Sequence, residues 1–245
     1  MIYEAPNERH KDLVTNIKIY FNQEKNSIIY EKRNIIKIVE FEGQEYVVKS
    51  FRIPHIINKI AYGFFRDSKA KKSYQNSIKI SDFVPKPIAY IEDKKFGLLY
   101  KSYFISERFE YDFTIRELLT NSNFEDRENI YKNFAYFTYK LHNAGIQHLD
   151  YSPGNILIKK HHHGYIFKII DINRMEFKTL TQQGRLENFS KLWATDEDLT
   201  LIIKEYAKIS KIDEKEALII ALKASQKHKN RKNFKKRLKG KKVVD

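Results

Sequence analysis

Three short apolar stretches, residues 27–30, 35–41 and 44–51, carry β-branched and aromatic side chains. Charged or glycine-bearing turns part them, and such runs read as strands. With Glu42-Gly43 turning the chain between the second and third, they predict an antiparallel meander. Over residues 68–81 the period changes. Ala70, Tyr74, Ile78 and Ile80 fall on roughly one side of a helix. Phe83-Val84-Pro85-Lys86-Pro87 ends it, because proline lacks an amide donor and restricts the residue before it. Two further strands, 88–92 and 98–107, follow around a turn at 93–97.

After Phe113 the pattern turns helical, over 114–119 and 126–144, with Gly145 closing the second helix. A hairpin, 156–160 and 165–170, comes next over a histidine-rich turn. Beyond Asp171 the chain reads as helices at 186–193, 197–209 and from Glu214 onward. Thr195-Asp196-Glu197-Asp198 has the acids that suit the positive end of a helix dipole. Strands with one main helix therefore come first and helices second, with a hinge near 106–111. The pattern predicts an α+β chain of two lobes, about 1–106 and 107–222, sharing a cleft of the kind that takes a nucleotide.

Composition narrows the class. The absence of cysteine excludes a disulfide framework and thiol chemistry, and fits a reducing compartment. No apolar run approaches the ~18 residues of a membrane-spanning helix, and residues 1–18 are too polar for a secretory signal. The net charge of +15 is unevenly placed: residues 223–242 hold eleven Lys or Arg and no acid. With Asp245, residues 223–245 carry +10 and residues 1–222 only +5. A basic tail of this kind suits an anionic surface, phospholipid or nucleic acid, and a merely solvated helix is the blander reading.

The chemistry lies in His148-Leu149-Asp150-Tyr151-Ser152-Pro153-Gly154-Asn155. Phosphoryl transfer needs a carboxylate to orient the attacking hydroxyl and an oxygen donor to help hold magnesium. Asp150 and Asn155 supply both, and Pro153-Gly154 turns the chain between them. Two residues join them. Lys49 ends an apolar strand and suits phosphate; Asp171 follows a buried strand and suits the bridging metal. Each alone could be an ordinary strand-end or turn residue; their order argues for one site. His148 reads as a brace for the loop rather than a base. Adjacent His161, His162 and His163 point in different directions and make a poor metal site.

In these residues the chain resembles the lipopolysaccharide kinases of the Kdo/WaaP family, within the protein-kinase-like fold. The likeness runs through Val47-Val48-Lys49-Ser50-Phe51, Ile60-Ala61-Tyr62 to Phe65-Arg66, and Ser68 to Tyr74. It continues in Val84-Pro85-Lys86-Pro87-Ile88, His148 to Leu157, and Asp171-Ile172-Asn173-Arg174-Met175. The resemblance implies ATP and Mg2+ as cofactors, with Lys49 on the phosphates and Asp150 as the base or hydroxyl-orienting acid. It makes Asn155 and Asp171 the metal ligands, and main-chain groups near Glu107 to Phe109 the adenine contact. The acceptor it implies is a sugar, Kdo, on the lipid A–inner core glycolipid. The basic tail would then dock a cytoplasmic protein on the inner membrane, with no stable nucleic-acid partner.

The chain departs from the kinase pattern in three places. Gln75 stands where a helix-borne glutamate usually pairs with the lysine. The Glu31-Lys32-Arg33-Asn34 turn has no glycine to follow phosphates closely, so Lys32 or Arg33 would substitute by charge. Ser152 and Asn173 replace residues typical of protein kinases, which favours a non-protein acceptor. A compact protein or tRNA-pathway kinase, and a pseudokinase that only binds, stay open as alternatives.

Overall fold

A computed structural model describes residues 2–5, 7–31, 34–51 and 67–240. The 60–66 part of the family resemblance, Lys32 and Arg33 of the first hairpin, and the last residues of the basic segment lie outside the described residues. The chain divides into two compact units: Met1–Glu110 with Asp171–Asn173, and Tyr111–Ile170 with Arg174–Asp245.

The first unit is built on an antiparallel sheet of β1 (Ile2–Glu4), β2 (Ile28–Glu31), β3 (Asn34–Phe41), β4 (Gln44–Phe51), β5 (Pro87–Lys95) and β6 (Leu98–Glu107). Its order is β1-β5-β6-β4-β3-β2. Side chains alternate between the faces of a strand, and β4 uses both. Tyr46 and Val48 enter a core with Leu13, Val14, Ile17 and Phe21 of two short helices, α1 (Lys11–Thr15) and α2 (Ile17–Phe21). Phe51 packs instead with Ala70, Tyr74 and Tyr90. Lys49, two residues before Phe51, shares that second face. The polar N-terminal segment is thus half-buried structure, anchored by four apolar side chains at helical spacing.

Helix α3 (Lys69–Lys79) starts on Ser68, whose Oγ accepts the Lys71 amide at 3.1 Å. Its buried face is Ala70, Ser73, Tyr74 and Ser77, and Ile78 is 52% exposed. The expected apolar side therefore fails at Ile78. Eight residues past Ala70, it has rotated about 80° off the stripe, and small serines make the close contact instead.

The second unit centres on α5 (Arg127–Asn143), preceded by β7 (Phe113–Thr114) and α4 (Ile115–Thr120). Phe134, Phe137 and Leu141 line its buried face. Strand β8 (Ile146–His148) pairs with β11 (Met175–Phe177), and the hairpin of β9 (Ile156–His161) and β10 (Gly164–Ile169) pairs with β7. The helix expected at 186–193 is displaced. Thr181 caps α6 (Gln182–Asn188), and a 3-10 turn, Phe189–Leu192, follows it. Trp193 then takes the left-handed conformation, φ 57°, and ends the segment. Helices α7 (Asp196–Ser210) and α8 (Glu214–Arg237) complete the unit. Helix α8 buries the small residues Ala217, Ala221 and Ser225 and runs unbroken through most of the basic segment, to Arg237.

Gly145 closes α5 at φ 72°, and a Cβ there would lie 3.0 Å from the Lys178 carbonyl oxygen. That backbone is itself tied to Gly145, the Lys178 amide donating to the Gly145 carbonyl at 2.9 Å, so it has little freedom to yield. Gly145→Ala is expected to lower stability by about 1–2 kcal/mol, read from urea unfolding. Gly154→Ala would meet only the end of the exposed Arg116 side chain and should cost clearly less.

Candidate active site

In the first unit, β4 delivers Lys49 to Asp171. The Lys49 ammonium donates to Asp171 Oδ1 at 2.7 Å, although 122 residues separate them. The lysine side chain is only 13% exposed and the carboxylate 37%. Lys49 also lies 5.3 Å from the centre of the Phe51 ring. Asp171 stands at φ 57°, a conformation that Asp and Asn tolerate better than most residues. Two amides steady this turn: Asn173 Nδ2 donates to Asp171 Oδ1 at 2.7 Å, and Asn76 Nδ2 to the Ile172 carbonyl at 2.7 Å. The α3 side chain that reaches the Asp171 segment is therefore Asn76, one position past Gln75. One residue is about 100° of helix, and sequence reading missed it. Lys49 finds its carboxylate in Asp171.

In the second unit, Asp150 follows β8 between two buried anchors. His148 Nδ1 accepts the Asp150 amide at 3.0 Å, which leaves Nε2 as the donor to the Ile170 carbonyl, also at 3.0 Å. His148 thus braces the loop, as its position in the motif suggests. Tyr151 is fully buried, stacks on Phe134 and exchanges a hydrogen bond with Thr138 at 2.9 Å. Asn155 Nδ2 donates to the Asp150 carbonyl at 2.9 Å, closing the turn and leaving its side-chain oxygen as an acceptor. The Asn155 carbonyl in turn takes the Ile170 amide at 3.0 Å. Asp150 is held by its backbone, while its carboxylate is only partly covered.

A second layer of polar contacts supports the loop from below. The Tyr206 hydroxyl on α7 donates to His142 Nδ1 at 2.9 Å, and His142 Nε2 donates to Asn188 Oδ1 at 3.1 Å. Asn188 Nδ2 then donates to the His148 carbonyl at 2.9 Å. Three helices far apart in sequence converge here on one peptide, and no local signal announced it.

Glu107, at the end of β6, pairs with Lys86 at 2.8 Å, and its amide donates to the Lys86 carbonyl. The Arg108 amide is taken by Glu45. Phe109 is half-buried, and among the described residues its main chain makes no backbone hydrogen bond. Its amide and carbonyl are the groups of the segment best able to meet a ligand edge. Asp171 in the first unit offers a carboxylate and already accommodates a cationic partner in Lys49, and Asn155 in the second offers an amide oxygen; each is a hard donor of the kind Mg2+ takes. Bound Mg2+ would offset charge on the nucleotide phosphates.

A lysine on a sheet strand paired with an acid after a buried strand, and an Asp-x4-Asn loop, are the parts of a protein-kinase-like phosphotransferase. The sequence profile of the lipopolysaccharide kinase (Kdo/WaaP) family matches residues 74–212, and the chain belongs to that family. Among solved structures, WaaP in complex with acyl carrier protein is similar, with TM-score 0.58 and 15% identity over 93% of this chain and 99% of that one. In all, 1531 chains of solved structure match, so the fold is widespread and does not by itself choose a substrate. A comparison with curated protein sequences gave no match.

The buried relay makes stability depend on pH. Burial first, then the Arg185 charge, hold His142 down at about 4 from the ordinary 6.5, against the Asn188 bond that raises it. Between those values the unfolded chain binds the extra proton. Stability is therefore expected to fall by up to roughly 3 kcal/mol as pH drops from about 6.5 to 4. Urea unfolding across this range should show the slope, and His142→Gln should flatten part of it.

Proposed function

We propose that this protein is an ATP- and Mg2+-dependent kinase that phosphorylates a sugar hydroxyl, that of Kdo, on the lipid A–inner core glycolipid. The observation that carries the reading is the Lys49–Asp171 ion pair at 2.7 Å, which joins the two residues a kinase uses on phosphates and metal. In this reading Lys49 offsets charge on the nucleotide phosphates, and Asp171 and Asn155 hold Mg2+. The Phe109 main chain, with Glu107 beside it, meets adenine. Asp150 orients the acceptor hydroxyl and takes its proton as the phosphoryl group arrives. Ser152, where protein kinases commonly carry lysine, favours a sugar over a protein acceptor. Membership in the family supports the glycolipid; the choice of Kdo goes beyond it.

The end of α8 supports a place on the cytoplasmic face of the inner membrane. Phe234 and Leu238 are 62% and 71% exposed, among Lys235, Lys236, Arg237 and Lys239. Apolar tips within a cationic field are what a peripheral helix offers an anionic bilayer. Each basic residue near such a surface adds roughly 1 kcal/mol.

Asp150→Ala is expected to keep ATP binding but to lower phosphate transfer to Kdo–lipid A on the order of 10³-fold. Asp171→Ala should lose transfer and weaken Mg-ATP binding together. Radiolabelled γ-phosphate and calorimetry read the two effects, and full activity in either variant would contradict the assignment. In vesicle sedimentation, Phe234→Ser with Leu238→Ser should weaken binding to anionic vesicles, and added salt should weaken what remains. Unchanged binding would remove the helix end from the membrane.

A further inference from the structure

Part of the basic segment is tied to the Asp150 loop: it packs on the Phe189–Leu192 turn, and Asn188, just before that turn, donates to the His148 carbonyl. On α8, His228, Arg231 and Lys232 stand at i, i+3 and i+4, so they share one face. The 3-10 turn at Phe189–Leu192 packs against this helix and brings Lys191 to it, with Nζ 3.3 Å from His228 Nδ1. Trp193 secures the junction: its indole meets His228 edge-on at 6.1 Å, and Lys236 lies 5.2 Å from its ring centre. Neighbouring Lys229 has an acid, Asp196, at 3.8 Å. Among the described residues, Lys191, Arg231 and Lys232 make no ion pair.

The electrostatics agree with the geometry. Burial, then the Arg231 and Lys232 charges, hold the Lys191 ammonium below its usual value, while Asp150 and Glu187 pull the other way. His228 is pushed down to about 4 by burial and by Lys191, Lys232 and Arg231, again with Asp150 opposing. Three cations thus crowd a neutral histidine, with Asp150 and Glu187 as the acids that act on them. Like charges repel at this range. A purely structural cluster would carry its own acids; this one lacks enough negative charge and stands on the turn that Asn188 ties to the Asp150 loop.

We propose that Lys191, Arg231 and Lys232, arranged around His228, form an oxyanion-binding subsite that holds an acidic group of the acceptor beside the hydroxyl presented to Asp150. The shared chemistry is a carboxylate or a phosphate, either on the sugar or on its lipid. The proposal rests on the kinase reading above for its acceptor, and it divides the basic segment by task. His228 to Lys232 recognise substrate, whereas residues 234–239 meet the membrane.

Two readouts separate the subsite from the reaction. In the first, the imidazole NMR signals of His228 in the full chain are followed while free Kdo or inorganic phosphate is added. A saturable shift with Kdo alone assigns the carboxylate, and one with phosphate assigns the phosphate. The exposed pair Arg231→Gln with Lys232→Gln should weaken that binding about tenfold or more. No response of His228 to either anion overturns the subsite, whether or not the protein is active. In the second, steady-state transfer to Kdo–lipid A should show the same double variant with an acceptor KM raised about tenfold and no matching rise in the ATP KM. An equal rise for ATP would place the cluster on the nucleotide and overturn the proposal. If the wild type transfers nothing to the glycolipid while His228 still responds, the proposed reaction falls and the anion site holds.

Discussion

The backbone of Ile170 is the constraint on which the Asp150–Asn155 loop depends. Its amide donates to the Asn155 carbonyl and its carbonyl accepts from His148, each at 3.0 Å. One residue, through the peptide groups on either side of its Cα, therefore ties both His148 and Asn155 to the end of the β9–β10 hairpin. The next residue along the chain is Asp171, whose left-handed backbone turns its carboxylate to Lys49. Histidine suits position 148 because a neutral imidazole can accept the Asp150 amide and donate to Ile170 at once. A buried group with both nitrogens satisfied costs little, and one with either unpaired would cost about 1–3 kcal/mol.

The polar relay of Tyr206, His142 and Asn188 serves the same loop from behind. It ends on the His148 carbonyl, so helices α5, α6 and α7 all bear on the peptide that precedes Leu149 and Asp150. Aromatic packing adds to it: Tyr151 stacks on Phe134, and Phe134 meets Phe189 edge-on. Asp150 thereby gains a fixed backbone beneath a partly covered carboxylate.

Much of this was legible in the sequence, for identifiable reasons. Strand β4 was read with its bounds because Glu42-Gly43 opens it and its side chains alternate. Lys49, Asp150, Asn155 and Asp171 stood out because their order along the chain is itself a pattern. Short elements hid. The helices α1 and α2 are five residues each and β8 and β11 three, too short for periodicity to register. Asn76, Asn188 and Lys191 act through partners distant in sequence, so no window contains the signal. The basic segment has more order than its composition conveys: as far as Arg237 its cations stand on a helix, which sends them to different sides.

Mass spectrometry of the lipopolysaccharide inner core, from cells with and without the intact gene for this chain, tests the central claim most directly. The account predicts that loss of the chain removes one phosphate from the Kdo region, that the wild-type chain restores it, and that Asp150→Ala does not. A core whose phosphate content is the same in all these cells would contradict it.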